Sequence, residues 1–152
     1  MKDIRTLHNE AMDLALKGDN VVNLLDKEGE ARNYYAMAFE KEQEAALLAD
    51  FLQNPEPGLS ILYRSAASLA LQCGKLREAE RLVAKALSGN PPSEIAIELR
   101  DLLRQIYSEA DQTNDVYEIK IPESQRSIIP TLLQQLGLSI NAIRKTIGRV
   151  AI

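Results

Sequence analysis

The sequence predicts a mainly α-helical protein of five successive helices closed by a short strand–helix appendage. Three observations lead there. Over residues 1–109 the apolar side chains recur at steps of three and four, the spacing that keeps one face of a helix apolar. Two clusters of breakers, Asn54-Pro55-Glu56-Pro57-Gly58 and Ser88-Gly89-Asn90-Pro91-Pro92, cut that pattern into blocks. After Asp115 the period drops to two, which is a strand signal. The chain has 152 residues, 45% hydrophobic and 26% charged, a globular balance in a length that can bury a core without disulfides or a structural metal.

The first block carries Leu7, Ala11, Leu14, Ala15, Gly18, Val21, Val22 and Leu25 on one stripe. Gly18-Asp19-Asn20 would read as a turn, but the phase continues through it. A helical glycine costs only about 1 kcal/mol against alanine. One long helix over about Asp3 to Asp26 is therefore expected, with a break at Gly18 as the rival reading. Lys27-Glu28-Gly29-Glu30 reads as a tight turn. A second helix follows over about Ala31 to Leu52, with Tyr34, Tyr35, Ala38, Ala45, Leu48 and Phe51 on its apolar side. Glu40, Lys41, Glu42 and Glu44 read as its solvated face.

Helices three and four are expected at about Leu59 to Cys73 and Leu76 to Leu87. Gly89 is placed for a left-handed C-terminal cap, and Ser93 for the N-cap of a fifth helix running to about Glu109. The stripe of that helix is Ile95, Leu99, Leu102, Leu103 and Ile106. Residues 110–115 are polar and read as a linker between a helical domain, 1–109, and a small α/β tail, 116–152. In the tail, Tyr117, Ile119 and Ile121 alternate with polar neighbours. A helix of roughly Glu123 to Leu136 then opens on Pro122, and Ser139 to Ile152 is open between helix and strand.

The most informative local pattern lies between Leu59 and Pro91. Tyr63, Ala66-Ala67 and Ala70 precede Gly74; Ala79, Val83, Ala86 and Pro91 follow it. Small side chains at these steps let two antiparallel helices approach closely while Tyr63, Leu82 and Val83 fill the gaps. The pattern resembles the tetratricopeptide repeat. It departs from that family where Ala66-Ala67 stands for the usual Leu-Gly and Ala70 for a common aromatic. Ala31, Tyr35 and Ala38-Phe39 echo the second half of the unit, so the resemblance implies two antiparallel helix pairs with the fifth helix as a cap.

What the resemblance implies functionally is a protein-binding adapter, or a subunit of a small complex, that offers one face of its third helix. The outward positions there are Arg64, Ser68 and Gln72. Members that clamp a peptide C-terminus use a set of Lys, Arg and Asn residues; only Arg64 is suitably placed, so such a clamp is not expected.

The tail has two readings. As a strand–helix–strand appendage it needs a partner for its strand, within the chain or in a second copy, which would make a homodimer. Alternatively, Thr131 to Leu136, Gly137-Leu138-Ser139 and Asn141 to Val150 resemble a helix-turn-helix, implying a DNA-binding regulator with Asn141, Arg144, Lys145 and Arg149 as nucleic-acid contacts. Leu133 and Thr146 depart from that pattern. The tail from Val116 carries five basic residues against two acidic ones, and since the whole chain is −4 the first 115 residues are −7. That balance does not mark a polyanion binder.

Catalytic constellations are missing from the sequence. His8 is the only histidine, with no second ligand nearby, and reads as a surface residue. Cys73 is the only cysteine, lacks a histidine close in sequence, and reads as a small buried hydrophobe. The seven glycines are scattered and cradle no phosphate. The expectation is a non-enzymatic protein with no cofactor or metal. A lone cysteine, no signal-like stretch and no run of membrane-spanning length make the expected location cytoplasmic, with no membrane partner.

Overall fold

A computed structural model describes residues 3–25, 27–114, 123–128, 130–131 and 135. Five helices run in order: α1 (Ile4–Leu25), α2 (Glu28–Phe51), α3 (Gly58–Gln72), α4 (Leu76–Ser88) and α5 (Ser93–Asn114). Among the described residues there is no strand. By contacts the chain divides into two compact units, Met1–Asp111 and Gln112–Ile152.

α1 runs unbroken through Gly18. Asp3 starts it: the side-chain carboxylate accepts the Thr6 amide at 2.8 Å and the Asp3 carbonyl accepts the Leu7 amide. The Thr6 amide is the main reason the Asp3 carboxyl is held below its ordinary range. α2 begins earlier than its composition implies. Gly29 lies inside its first turn and residues 27–30 do not form a separate turn. Glu28 and Glu30 at that end favour helix by complementing the helix dipole.

α1 and α2 pack on each other in antiparallel register: His8 meets Glu42, Glu10 meets Lys41, and Asp19 meets Tyr35. The close approach is set at Gly18. A Cβ added there would stand 2.7 Å from the Tyr35 ring. The ring cannot swing away freely, because its hydroxyl donates to Asp19 at 2.7 Å. Burial, then this bond to an acid, pushes the Tyr35 phenol up to about 12.

α2 also packs on α3, and α3 on α4. The buried positions of α2 are Ala31, Tyr35, Ala38, Phe39, Glu42, Ala45, Ala46 and Ala49. Five of these eight are alanine, so the helix contributes proximity more than apolar area. The alanines of the third and fourth helices behave the same way: Ala66, Ala67, Ala70 and Ala79 are fully buried, and Ala86 nearly so. Tyr63, Leu82 and Val83 fill the space between them. α5 adds Leu99, Leu102 and Ile106 to the same core. Arg64 on α3 pairs with Glu98 on α5, and Tyr107 on α5 donates to Glu80 on α4.

Helix ends correct several expectations. α3 closes on Gly74 in the left-handed region (φ +81°), with Gly74 N–H donating to Leu71 and Lys75 N–H to Ala70. This paired closure is the Schellman arrangement. α2 ends the same way, with Gln53 and Asn54 donating to Asp50 and Ala49, but there the left-handed residue is Gln53 at φ 54°. Gly89, expected to play this part for α4, has φ −81° and is not left-handed. Ser93 does not cap α5 either: Pro92 supplies the first carbonyl, accepting the Ala96 amide, and Ser93 lies one place inside. The α3 entry is held by Glu56, whose carboxylate accepts both the amide and the hydroxyl of buried Ser60. The Glu56–Pro57 peptide before it is cis.

α5 extends through 110–114, so most of the expected linker is helical. In the second unit, Glu123–Ile128 forms a 3₁₀ helix, tighter than the α-helix expected there. The expected strand at Val116 to Ile121 and the stretch from Ser139 onward lie outside the described residues.

Gly18→Ala is expected to destabilise the fold by about 1–2 kcal/mol, since overpacking the Tyr35 ring outweighs the gain in helix propensity. Gly29→Ala, whose added Cβ meets nothing within 4 Å, is expected to be neutral or stabilising. Urea midpoints of the two variants against wild type check this contrast. Gln53→Gly relieves a left-handed side-chain-bearing residue and should raise the urea-derived stability by about 0.5–1 kcal/mol.

Candidate functional site

Arg64, Ser68 and Gln72 lie at successive steps of four on α3, so they share a face. Their environments differ. Arg64 is half-buried and engaged by Glu98. Ser68 is half-buried and Gln72 exposed. Arg64 thus ties α3 to α5, and its guanidinium would have to leave Glu98 to meet a ligand. Asn141, Arg144, Lys145 and Arg149, the expected nucleic-acid contacts, lie outside the described residues.

A second surface was missed by reasoning from residue type. Phe51, placed by its spacing on the apolar side of the second helix, is 83% exposed. Leu47 and Leu52 are each more than half exposed, and Leu48 is half-buried. Leu47 and Phe51 are four residues apart, as are Leu48 and the C-cap residue Leu52, so the four form one apolar strip at the C-terminal end of α2. The lost signal is position: the strip is at the end of the helix, where the sequence stripe continues but the neighbouring helix does not cover it.

The polar interior is also richer than the sequence implied. Glu42, read as solvated, is fully buried. His8, read as a plain surface residue, is half-buried, and its Nδ1 lies 2.9 Å from each carboxylate oxygen of Glu42. Ser65 on α3 approaches the same carboxylate. Burial pushes the Glu42 carboxyl above its ordinary range, against the opposing pull of His8 and Ser65. The sequence did carry this signal. Ala31, Tyr35, Ala38, Glu42, Ala45 and Ala49 alternate by four and three, which puts Glu42 on the buried seam.

Beyond that seam, Asp50 binds Lys85 of α4 at 3.0 Å, which is the main reason its carboxyl is held low. Tyr63, buried beside this pair, has a hydroxyl with no hydrogen bond of ordinary geometry. Burial, and then the nearness of Asp50, push its phenol up to about 12. Cys73 is half-buried with its Sγ 3.4 Å from the Ala70 carbonyl, and burial pushes its thiol up, away from the thiolate that nucleophilic chemistry needs.

Among the described residues no three His, Cys, Asp or Glu side chains converge in a way that could hold a metal ion. Nor is any described helix long and apolar enough to cross a membrane. Comparison of the chain with protein families, curated proteins and solved structures returned no match.

A buried hydroxyl without a partner costs about 1–3 kcal/mol of desolvation. Tyr63→Phe is therefore expected to be neutral, or stabilising by up to about 1 kcal/mol, in urea unfolding. A clear loss of stability would mean that the Tyr63 hydroxyl has a partner after all.

Proposed function

We propose that this chain is a protein-interaction module, an adapter or one subunit of a small complex, built on tetratricopeptide-like helix pairs. The observation that carries the reading is the strip of Leu47, Phe51 and Leu52, held on a well-packed helix yet more than half exposed. Large apolar side chains grouped on a rigid surface mark sites where another macromolecule excludes water. The close alanine packing of α3 and α4 around Tyr63 and Val83 supports the repeat-like part of the reading. On α3, Ser68 and Gln72 are the side chains available for polar contacts, and Arg64 joins them when it exchanges Glu98 for a partner's acid.

Proximity labelling or affinity capture with wild type, Phe51→Asp and Gln72→Ala tests the proposal. Each substitution changes a surface side chain, so circular dichroism and urea midpoint should stay close to wild type. A partner retained by wild type should be reduced at least tenfold by Phe51→Asp and measurably by Gln72→Ala, as expected when a central apolar contact is removed (on the order of 2 kcal/mol). Equal capture by all three proteins overturns the proposal. Light scattering on the same samples separates self-association from a foreign partner.

A further inference from the structure

We propose that seating α1 on α2 captures one proton shared between His8 and Glu42, so that the fold itself responds to pH. The inference rests on the helix interior alone and stands whether or not the adapter reading holds.

The geometry is that of a two-group site with one way out. Glu42 is fully buried, and the Nδ1 of His8 lies 2.9 Å from both of its oxygens. The His8 side chain keeps 36% of its surface exposed, so the ring that touches the buried carboxylate also reaches solvent. From α3 the carboxylate meets Ser65, whose hydroxyl can bond to it but does not titrate in the range considered. The neighbouring charged groups are engaged elsewhere: Lys41 with Glu10 of α1, and Arg64 with Glu98 of α5. Among the described residues, His8 is the only ion-pair partner of Glu42.

With one proton the pair is either imidazolium–carboxylate or imidazole–carboxylic acid. Both forms have the same net charge, and the proton sits between Nδ1 and a carboxylate oxygen in each. With no proton, a buried carboxylate faces a neutral ring and its charge is uncompensated, a costly arrangement in a low-dielectric interior. In the unfolded chain the two side chains are far apart in water. At neutral pH the carboxylate is then ionised and an imidazole is mostly neutral, so together they hold almost no proton.

The sign follows directly. Near neutral pH the folded chain binds more protons at these two groups than the unfolded chain does. Stability must then fall as pH rises. The direction for Glu42 agrees: a carboxyl raised by burial contributes stability that is present below its unfolded value and lost as pH climbs through its folded one. The contact between His8 and Glu42 joins α1 to α2. A rise in pH through neutrality therefore weakens the seam between α1 and α2.

The chain has a single histidine, so no other side chain ordinarily changes charge between about pH 5.5 and 8. Urea unfolding of wild type and Glu42→Gln across that range provides the test. The wild-type folding constant should fall as pH rises, by up to about tenfold per pH unit for one proton, and the slope should largely vanish in Glu42→Gln. A flat wild-type profile, or an equal slope in both proteins, overturns the proposal. Should Glu42→Gln fail to fold, proton release on urea unfolding of wild type in weak buffer near pH 7 decides the matter. Release approaching about one proton per chain supports the shared proton, and none overturns it.

Discussion

Helix α2 is hemmed in by α1 and α3 and reaches α4 through Asp50 and Lys85, and the structure depends on its being thin enough to fit among them. Alanine at five of its eight buried positions meets that demand. Alanine also has the highest helix propensity, so the residue that permits close packing is the one that favours the helix itself. Close approach brings many weak dispersion contacts along the whole length of the seam in place of a few large buried side chains. The larger residues, Tyr35 and Phe39, are confined to places where the facing helix yields. Gly18 yields to Tyr35, while the Phe39 ring lies 5.1 Å beneath the ammonium of Lys75.

A seam built this way buries what lies at its middle, and Glu42 there is fully buried. That is why the one carboxylate in it, Glu42, is met by side chains from both flanking helices. Replacing it with alanine would continue the pattern and remove the desolvation penalty. The ionisable pair instead couples the interior to solvent through the exposed edge of His8. The Asp50–Lys85 pair differs: both side chains remain more than a third exposed, and it contributes little more than an ordinary surface pair.

Much of this helical architecture was legible in the sequence because proline and glycine clusters separate the helices and apolar spacing runs through each. What was not legible has specific causes. Glu42 was assigned to solvent by its type and by its neighbours Glu40, Lys41 and Glu44, although its spacing placed it on the seam. Phe51 is the converse, an apolar residue in phase with the stripe but beyond the reach of its neighbours. Residues 110–114 look like a linker because they are polar, yet a helix needs no apolar side chain once its preceding turns are anchored. The left-handed residue that ends α2 is a glutamine, which sequence reasoning does not assign to that conformation, whereas Gly89 looked suitable and is not used that way. For the candidate site, Arg64, Ser68 and Gln72 were found as a face, but the claim of Glu98 on Arg64 is a long-range contact that no local pattern encodes.

The contact between Gly18 and Tyr35 also settles a question of alignment. The apolar stripe of α1, through Ile4, Leu7, Ala11, Leu14, Gly18, Val21 and Leu25, repeats every seven residues, and so does the seam of α2. Two such patterns fit together almost as well after a slip of one repeat. A shift by seven would set the Tyr35 ring against Ala11 or Leu25 rather than a position without a Cβ. It would also move the Glu42 carboxylate seven places along α1 from His8, to Ala15 in one direction. A missing side chain and an ion pair thus act as two index marks on otherwise interchangeable ladders, and they single out one alignment from its near-equivalents.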